Sequence, residues 1–476
     1  MTTINELKAC ANAASVPPEL CVYSESSELN PEYLRSIATT KRFLEAYSSD
    51  SDFREGILAG HKNQFCQELN IDPQALRPLW DINSKEGDLT EDVRRYILFL
   101  REKELIKERL RNQECTPDNP AFKQWRQRQM NRFMWQVGRA QSAAVVHAPF
   151  AIELNQGCSV GCWFCGVDAP KLTKIFEYNA SNAVLWRQIL HHLHQRIGEG
   201  SKGGFCYWAT DPFDNPDYEK FMSDFKNEFG RYPQTTTAQP LNNIERIKAF
   251  LKASSGKEKT INRFSVLSKN IMKKVFENYS PEDLLHVELI AQNSEGLSIK
   301  ATAGRARIKM SSMEKEHQDD VGSSTIACVS GFLINMPAGS IKLISPCPAS
   351  DQWPLGYRIY GEETFDQFDD FVKAIDRLMG KMKLDLKVDD PIQLKPSTSP
   401  YVEKDDLFIT HNKLTCKLGG IKNPEAFIRL VELLRDSSMT VSEALIKLKN
   451  DLSMAETFNI IDVLFRSGII DDAQFI

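Results

Sequence analysis

From about residue 150 the chain alternates short apolar, β-branched stretches with amphipathic ones, and this alternation constrains the fold more than any other feature. "FAIELNQ" (150–156), "GGFCYWAT" (203–210) and "YPQTTTAQ" (232–239) read as strands. "NAVLWRQILHHLHQRIG", "NPDYEKFMSDFKNEFG" and "NNIERIKAFLKAS" between and after them read as helices. "NRFSVLS" and "LLHVELIAQ", separated by "KNIMKKVFENY", continue the series. Repeated β–α units predict an α/β fold: a parallel sheet with helices outside, closed or partly closed into a barrel. Chemistry in such a fold gathers where loops leave the C-terminal ends of the strands. After Gly296 the pattern is less regular, and "CVSGFLINM" and "GSIKLISPC" read as further strands.

The flanks differ in texture. Residues 1–145 read as a helical region, with helices over "PEYLRSIATTKRFLEAYSSD", "DFREGILAGHKNQFCQELN", "IDPQALRPLW" and "TEDVRRYILFLREKELIKERLRNQ". Pro117 and Pro120 break the run before "AFKQWRQRQMNRFMWQVGRA". There Phe122, Trp125, Phe133 and Trp135 interleave with Lys123, Arg126, Arg128, Arg132 and Arg139. The expectation is an amphipathic helix with its charges in water, or else a basic, aromatic surface for an acidic peptide. Residues 146–397 hold the β–α series, and 398–476 form a third unit. In that unit "DDLFITHNKLTCKLGG" reads as a two-stranded ribbon turning at Asn412 and Lys413. Three helices follow, one entered by Asn423 with Pro424 at its first position. The other two begin with the capping boxes Thr440-x-x-Glu443 and Ser453-x-x-Glu456, and Gly468 ends the last. A ribbon with three helices suggests a winged-helix-like module.

Composition excludes several classes. A net charge of −5 over 476 residues is a poor overall footprint for nucleic acid. No stretch approaches eighteen consecutive apolar residues, so no membrane span is expected. The N-terminus shows no basic start followed by an apolar run, hence no signal peptide. The eleven cysteines are mostly scattered, which fits a reducing cytoplasmic setting better than a disulfide framework.

Three cysteines are not scattered. Cys158, Cys162 and Cys165 sit in "NQGCSVGCWFCG", directly after the first strand of the series. A closed zinc site uses four protein ligands, and an electron-transfer iron–sulfur cubane normally takes four cysteines. Three thiolates leave one iron of a cubane open. The competing arrangement is a zinc loop completed by a distant ligand such as His147.

Cys158-x-x-x-Cys162-x-x-Cys165 on the loop after a first strand resembles the signature of the radical S-adenosylmethionine (SAM) enzymes. The resemblance implies a partial (β/α)6 radical SAM barrel over 146–397. It also implies one 4Fe-4S cluster whose open iron is chelated by SAM, and a 5′-deoxyadenosyl radical formed by one-electron cleavage of SAM. Phe164, before the third cysteine, matches the family's aromatic residue near the adenine. Ala209-Thr210-Asp211-Pro212 stands where the family has Gly-Gly-Glu-Pro, so Thr210 and Asp211 are placed at the SAM amino group, with an acid one carbon shorter. Ser265 and Ser268 fall where the family makes ribose and carboxylate contacts.

Cys10, Cys21, Cys66, Cys115, Cys206, Cys328, Cys347 and Cys416 form no second cluster-like group, and no cobalamin-binding domain is visible. "LISPCPASDQWPLGYRIYGEETFDQF" (343–368), "YWATDPFDNPDY" and the C-terminal module together resemble the radical SAM epimerases of the proteusin (polytheonamide) class. That resemblance implies abstraction of the Cα hydrogen from an L-residue of a ribosomally made precursor peptide. A cysteine thiol then returns a hydrogen atom to give the D-residue, with Cys347 as donor and Cys328 and Cys206 as rivals. It further implies that the C-terminal module is like a RiPP recognition element, binding the leader peptide by strand addition. An electron donor such as flavodoxin or ferredoxin is implied as well. The alternatives are a maturase that crosslinks or otherwise modifies such a peptide, and a metal-dependent regulator that puts the winged module on DNA. The last helix carries only Arg466 as a basic residue, a weak phosphate footprint. A packing or dimerisation role for the module is the remaining alternative.

Overall fold

The computed structural model describes residues 15–23, 29–61, 63–81, 89–254, 260–298, 302–313, 325–395, 397–403, 406–411, 414–418 and 423–472. The predicted ribbon turn at Asn412 and Lys413 lies outside them. Strands, in chain order, are β1 (Ala148–Glu153), β2 (Asn155–Gln156), β3 (Lys174–Ile175), β4 (Thr236–Thr237), β5 (Asn262–Val266) and β6 (Val287–Ala291). They continue as β7 (Val329–Asn335), β8 (Ser340–Pro346), β9 (Tyr357–Thr364) and β10 (Pro391–Ile392). The last are β11 (Thr398–Glu403), β12 (Asp406–His411), β13 (Leu414–Leu418) and β14 (Met439–Thr440).

The fold is mixed α/β with no closed barrel among the described residues. β4, β5 and β6 form a parallel three-stranded sheet. β1 pairs in parallel with β7, which continues antiparallel through β8 to β9. Two expected strands are largely irregular. "GGFCYWAT" makes a single parallel bridge, Phe205 beside Ala151, with the Ile152 N–H donating to the Phe205 carbonyl at 2.9 Å. "YPQTTTAQ" contributes only Thr236 and Thr237.

Strand alternation decides what faces inward. On β5, Phe264 and Val266 are buried in the main apolar core, while Arg263 and Ser265 point the other way. That core lies between the β1–β7–β8–β9 sheet and the helices Ala180–Ile197, Tyr218–Phe229 and Phe368–Met379. The N-terminal helices run Pro31–Ser49, Ser51–Leu58, Gln64–Glu68, Arg77–Trp80 and Glu91–Arg109. Gly60, at φ +72°, falls between the Ser51–Leu58 and Gln64–Glu68 helices, within what reads as one helix in the sequence.

The arginine-rich helix, Pro120–Val137, is a correction to the expectation of solvated charges and of an exposed basic surface. Arg126, Arg128 and Arg132 are buried. Arg126 donates to the carbonyls of Arg111, Val146 and His147, and Arg132 to Ser345 Oγ and the Pro346 carbonyl. Arg128 pairs with Asp472 at 3.0 Å. The helix is a spine between the sheet and the C-terminal part of the chain.

That C-terminal part has its own apolar core, which also takes in Trp135, Leu386, Ile392 and Leu394 from before residue 398. The ribbon is present as β12 and β13, and β11 adds a third antiparallel strand. Helices Pro424–Asp436, Val441–Lys447 and Met454–Arg466 follow, the last two with complete capping boxes. Gly468, at φ +74°, lies so close to the main chain of the spine helix that a Cβ would fall 2.4 Å from Arg132 N.

Candidate functional site

β1 ends at Glu153, and the chain turns at once into the cysteine loop. Glu153 fixes that turn: its carboxylate accepts from the Ala209 N–H (2.7 Å) and from Asn335 Nδ2 (2.8 Å). β2 and β3 pair antiparallel and clasp the loop at its base. Gly157 is required there, because it holds φ +88° and a Cβ would sit 2.2 Å from the Lys171 carbonyl oxygen. Asp214 holds the loop from the side through the Ser159 N–H and hydroxyl, and Gln239 Nε2 donates to the same carboxylate at 2.8 Å. From the opposite side the Arg305 N–H donates to the Cys165 carbonyl (3.0 Å), and Arg305 Nε pairs with Asp168 at 2.8 Å.

The loop lines a partly open chamber of about 650 Å³. Cys158, Cys162, Cys165, Phe164, Thr210, Asp211 and Ser265 all line it. These seven residues, singled out in the sequence, therefore line one chamber although they span more than a hundred positions. Ser268 is not among the lining residues; its hydroxyl caps the helix Lys269–Asn278 by accepting from the Ile271 N–H. Asp211 is buried, with its carboxylate accepting from Thr237 Oγ1 and from the N–H groups of Ala238 (2.7 Å) and Phe213 (3.1 Å). Burial pushes its carboxyl up to about 6 against those donors. Thr210 Oγ1 accepts from Asn155 Nδ2.

The three candidate hydrogen donors separate. Cys328 lines the chamber. Cys206 is buried in the main core. Cys347 is buried and does not line the chamber: its N–H donates to the Gly356 carbonyl, which also accepts from the chamber-lining Thr325. The Arg132 and Arg358 guanidiniums lie beside its thiol, and burial outweighs them to push that thiol upward.

Among the described residues no three His, Cys, Asp or Glu side chains converge closely enough to hold a single metal ion. His147 does not line the chamber; it is buried with Nδ1 2.8 Å from Ser330 Oγ. Among the described residues, therefore, no fourth ligand completes the trio as a zinc loop. A cubane makes a different demand, since each thiolate binds a separate iron corner and the sulfurs stand apart. All three thiols line the same chamber. Burial and the neighbouring Cys158 and Cys165 sulfurs push the Cys162 thiol up to about 12. The Ala169 N–H already points at Cys165 Sγ (3.3 Å), the kind of contact that supports cluster sulfurs.

Fold and site together define a mixed α/β protein with a chamber lined by four thiols, three of them from one loop. The chain is 32% identical over 459 residues to a protein of Sinorhizobium fredii described as "Uncharacterized protein y4wI", covering 93% of this chain and 88% of that one, and it belongs to the same family. No family model matches the chain, and no solved structure matches it. No helix among the described residues is long and apolar enough to cross a membrane.

Sequence reasoning missed Asp214 and Arg305, which hold the cysteine loop. The one available signal for Asp214 was its place in the short turn after Asp211-Pro212.

Proposed function

We propose that the chain is a radical SAM epimerase that converts L- to D-residues in a ribosomally made precursor peptide. The observation that carries this reading is the one chamber lined by Cys158, Cys162, Cys165, Phe164, Thr210, Asp211 and Ser265, with a further thiol, Cys328, also lining it. When bound, a 4Fe-4S cluster on the three cysteines with SAM on its open iron supplies a hydrogen-abstracting radical. Asp211, oriented by Thr237, Ala238 and Phe213, offers a carboxylate to the SAM amino group. Phe164 offers a face to the adenine, and the Ser265 hydroxyl, with no protein partner among the described residues, offers a contact to the ribose or carboxylate.

Epimerisation breaks the Cα–H bond of an L-residue and leaves a planar carbon radical. A cysteine S–H then gives its hydrogen atom to the opposite face, and an electron and a proton restore the thiol. The resemblance assigns this role to Cys347. A second reading rests on geometry: Cys328 is the candidate that lines the chamber. Cys347→Ala and Cys328→Ala separate the two, because the true donor variant still cleaves SAM and abstracts hydrogen but loses the D-product.

The three-stranded sheet β11–β12–β13 with three helices supports a winged-helix-like leader-binding module, since its outer strands leave edges for a peptide strand. A DNA role is disfavoured because Arg466, the basic residue of the last helix, is already paired with Asp462 and Asp385. Co-expression with the precursor peptide in D₂O tests the reaction. Epimerisation adds about one mass unit per converted centre and yields D-residues on chiral analysis, whereas a crosslinking maturase removes two hydrogens. Unchanged peptide overturns both.

A further inference from the structure

Arg263 is a charged side chain lining the chamber, and it shares its carboxylate partner, Glu288, with Lys103. On β5 it lies two residues, about 7 Å, from Ser265 on the same face, and both line the chamber. Its Nε donates to Glu288 Oε2 at 2.8 Å, directly across on β6. Lys103 takes the other oxygen of the same carboxylate at 2.7 Å. Two cations therefore share one anion, and burial alone would raise the Glu288 carboxyl, but Lys103 and Arg263 hold it down to about 2. The guanidinium Nη groups of Arg263 have no acceptor among the described residues. The side chain is 40% accessible and lines the chamber.

A partly exposed guanidinium with unused N–H donors is a site at which an anion can bind. A guanidinium is a planar fork that matches a carboxylate with two parallel hydrogen bonds, which are stronger in a water-poor site. The neighbouring wall is mostly apolar, with Phe205, Ile290 and Cys328 lining it beside Tyr207. Resting on the reading of this chamber as the place of reaction, we propose that Arg263 anchors the substrate by binding one of its carboxylates. That carboxylate belongs either to an Asp or Glu side chain of the peptide or to its C-terminus. None of the SAM contacts assigned above uses Arg263, which leaves its guanidinium for substrate.

The test is calorimetric binding to the full chain, reconstituted with iron and sulfide and loaded with SAM. The probes are N-acetylalanine, N-acetylalaninamide and N-acetylglutamic acid α-amide. Wild type should bind a free acid about ten-fold or more tighter than N-acetylalaninamide, the worth of a charge-assisted hydrogen-bonded pair. Arg263→Gln should abolish that preference while leaving SAM affinity unchanged, and Glu288→Gln, which frees the guanidinium, should increase it. Preference for N-acetylalanine assigns the C-terminal source, and preference for the glutamate amide assigns the side-chain source. Equal binding of acid and amide by wild type overturns the proposal, as does an Arg263→Gln variant that loses SAM affinity but keeps acid preference. The binding readout is independent of D-residue formation, so failure of the epimerase reading appears separately, as absence of D-product in the co-expression experiment.

Discussion

Asp214 and Ser159 are joined twice: the carboxylate accepts both the Ser159 N–H at 2.9 Å and its hydroxyl at 2.5 Å. Ser159 is the residue after the first cysteine of the trio, so this pair sets where that cysteine leaves β2. Asp214→Ala should leave the global fold intact, because the contact is exposed. It should lower the iron retained after anaerobic reconstitution and desalting by several-fold, read by iron content against circular dichroism of the same sample.

Gly157 makes the sharper claim on the same loop. Gly157→Ala would force a Cβ into the Lys171 carbonyl at a backbone angle that L-residues rarely adopt. The expected loss is about 1–3 kcal/mol, seen in thermal melts, together with loss of iron binding. Gly161→Ala, at φ +65° but facing open space, should cost less and retain more iron.

Much of this loop was legible in the sequence. Cysteine spacing after a strand, Phe164 before the third cysteine and Thr210-Asp211 two elements later all converge on one chamber in the structure. What was illegible depended on partners far along the chain. Arg126 and Arg132 look like the polar face of an amphipathic helix until Val146, His147 and Pro346 supply buried carbonyls for them. β11 was hidden by Pro400, which argues against a central strand but is tolerated at a sheet edge, where β11 lies. Cys347 stands just past the end of β8, as its sequence suggests, but no linear pattern shows that it does not line the chamber and that its N–H is bound to the Gly356 carbonyl.

Asp211 predicts a pH dependence. Its carboxyl is raised in the folded chain to about 6 from 3.8, so folding favours the protonated form. That contribution is fully present below about pH 4 and is lost as pH rises through about 6. Wild type should therefore lose about 3 kcal/mol relative to Asp211→Asn between these limits, measured by urea unfolding of both proteins across that range. A difference that grows in the opposite direction would contradict the burial argument.

Asp472 neutralises buried cations from two elements: Arg128 at 3.0 Å and Arg132 at 3.7 Å on the spine helix, and Arg358 at 3.0 Å on β9. Asp472→Ala leaves them with less negative charge than they need and should cost about 3–5 kcal/mol in urea unfolding. Lys417→Ala removes an exposed partner of Asp406 and should cost under about 1 kcal/mol.

The central claim is that the three-cysteine chamber is a radical SAM site. Anaerobic reconstitution with iron and sulfide, followed by dithionite and SAM, measures it through 5′-deoxyadenosine formation. The account predicts a cluster of about four irons per chain and 5′-deoxyadenosine from wild type, with both lost in the Cys158→Ala, Cys162→Ala and Cys165→Ala variants. A protein that takes up zinc in place of the cluster, or that forms no 5′-deoxyadenosine with the cluster bound, would contradict it.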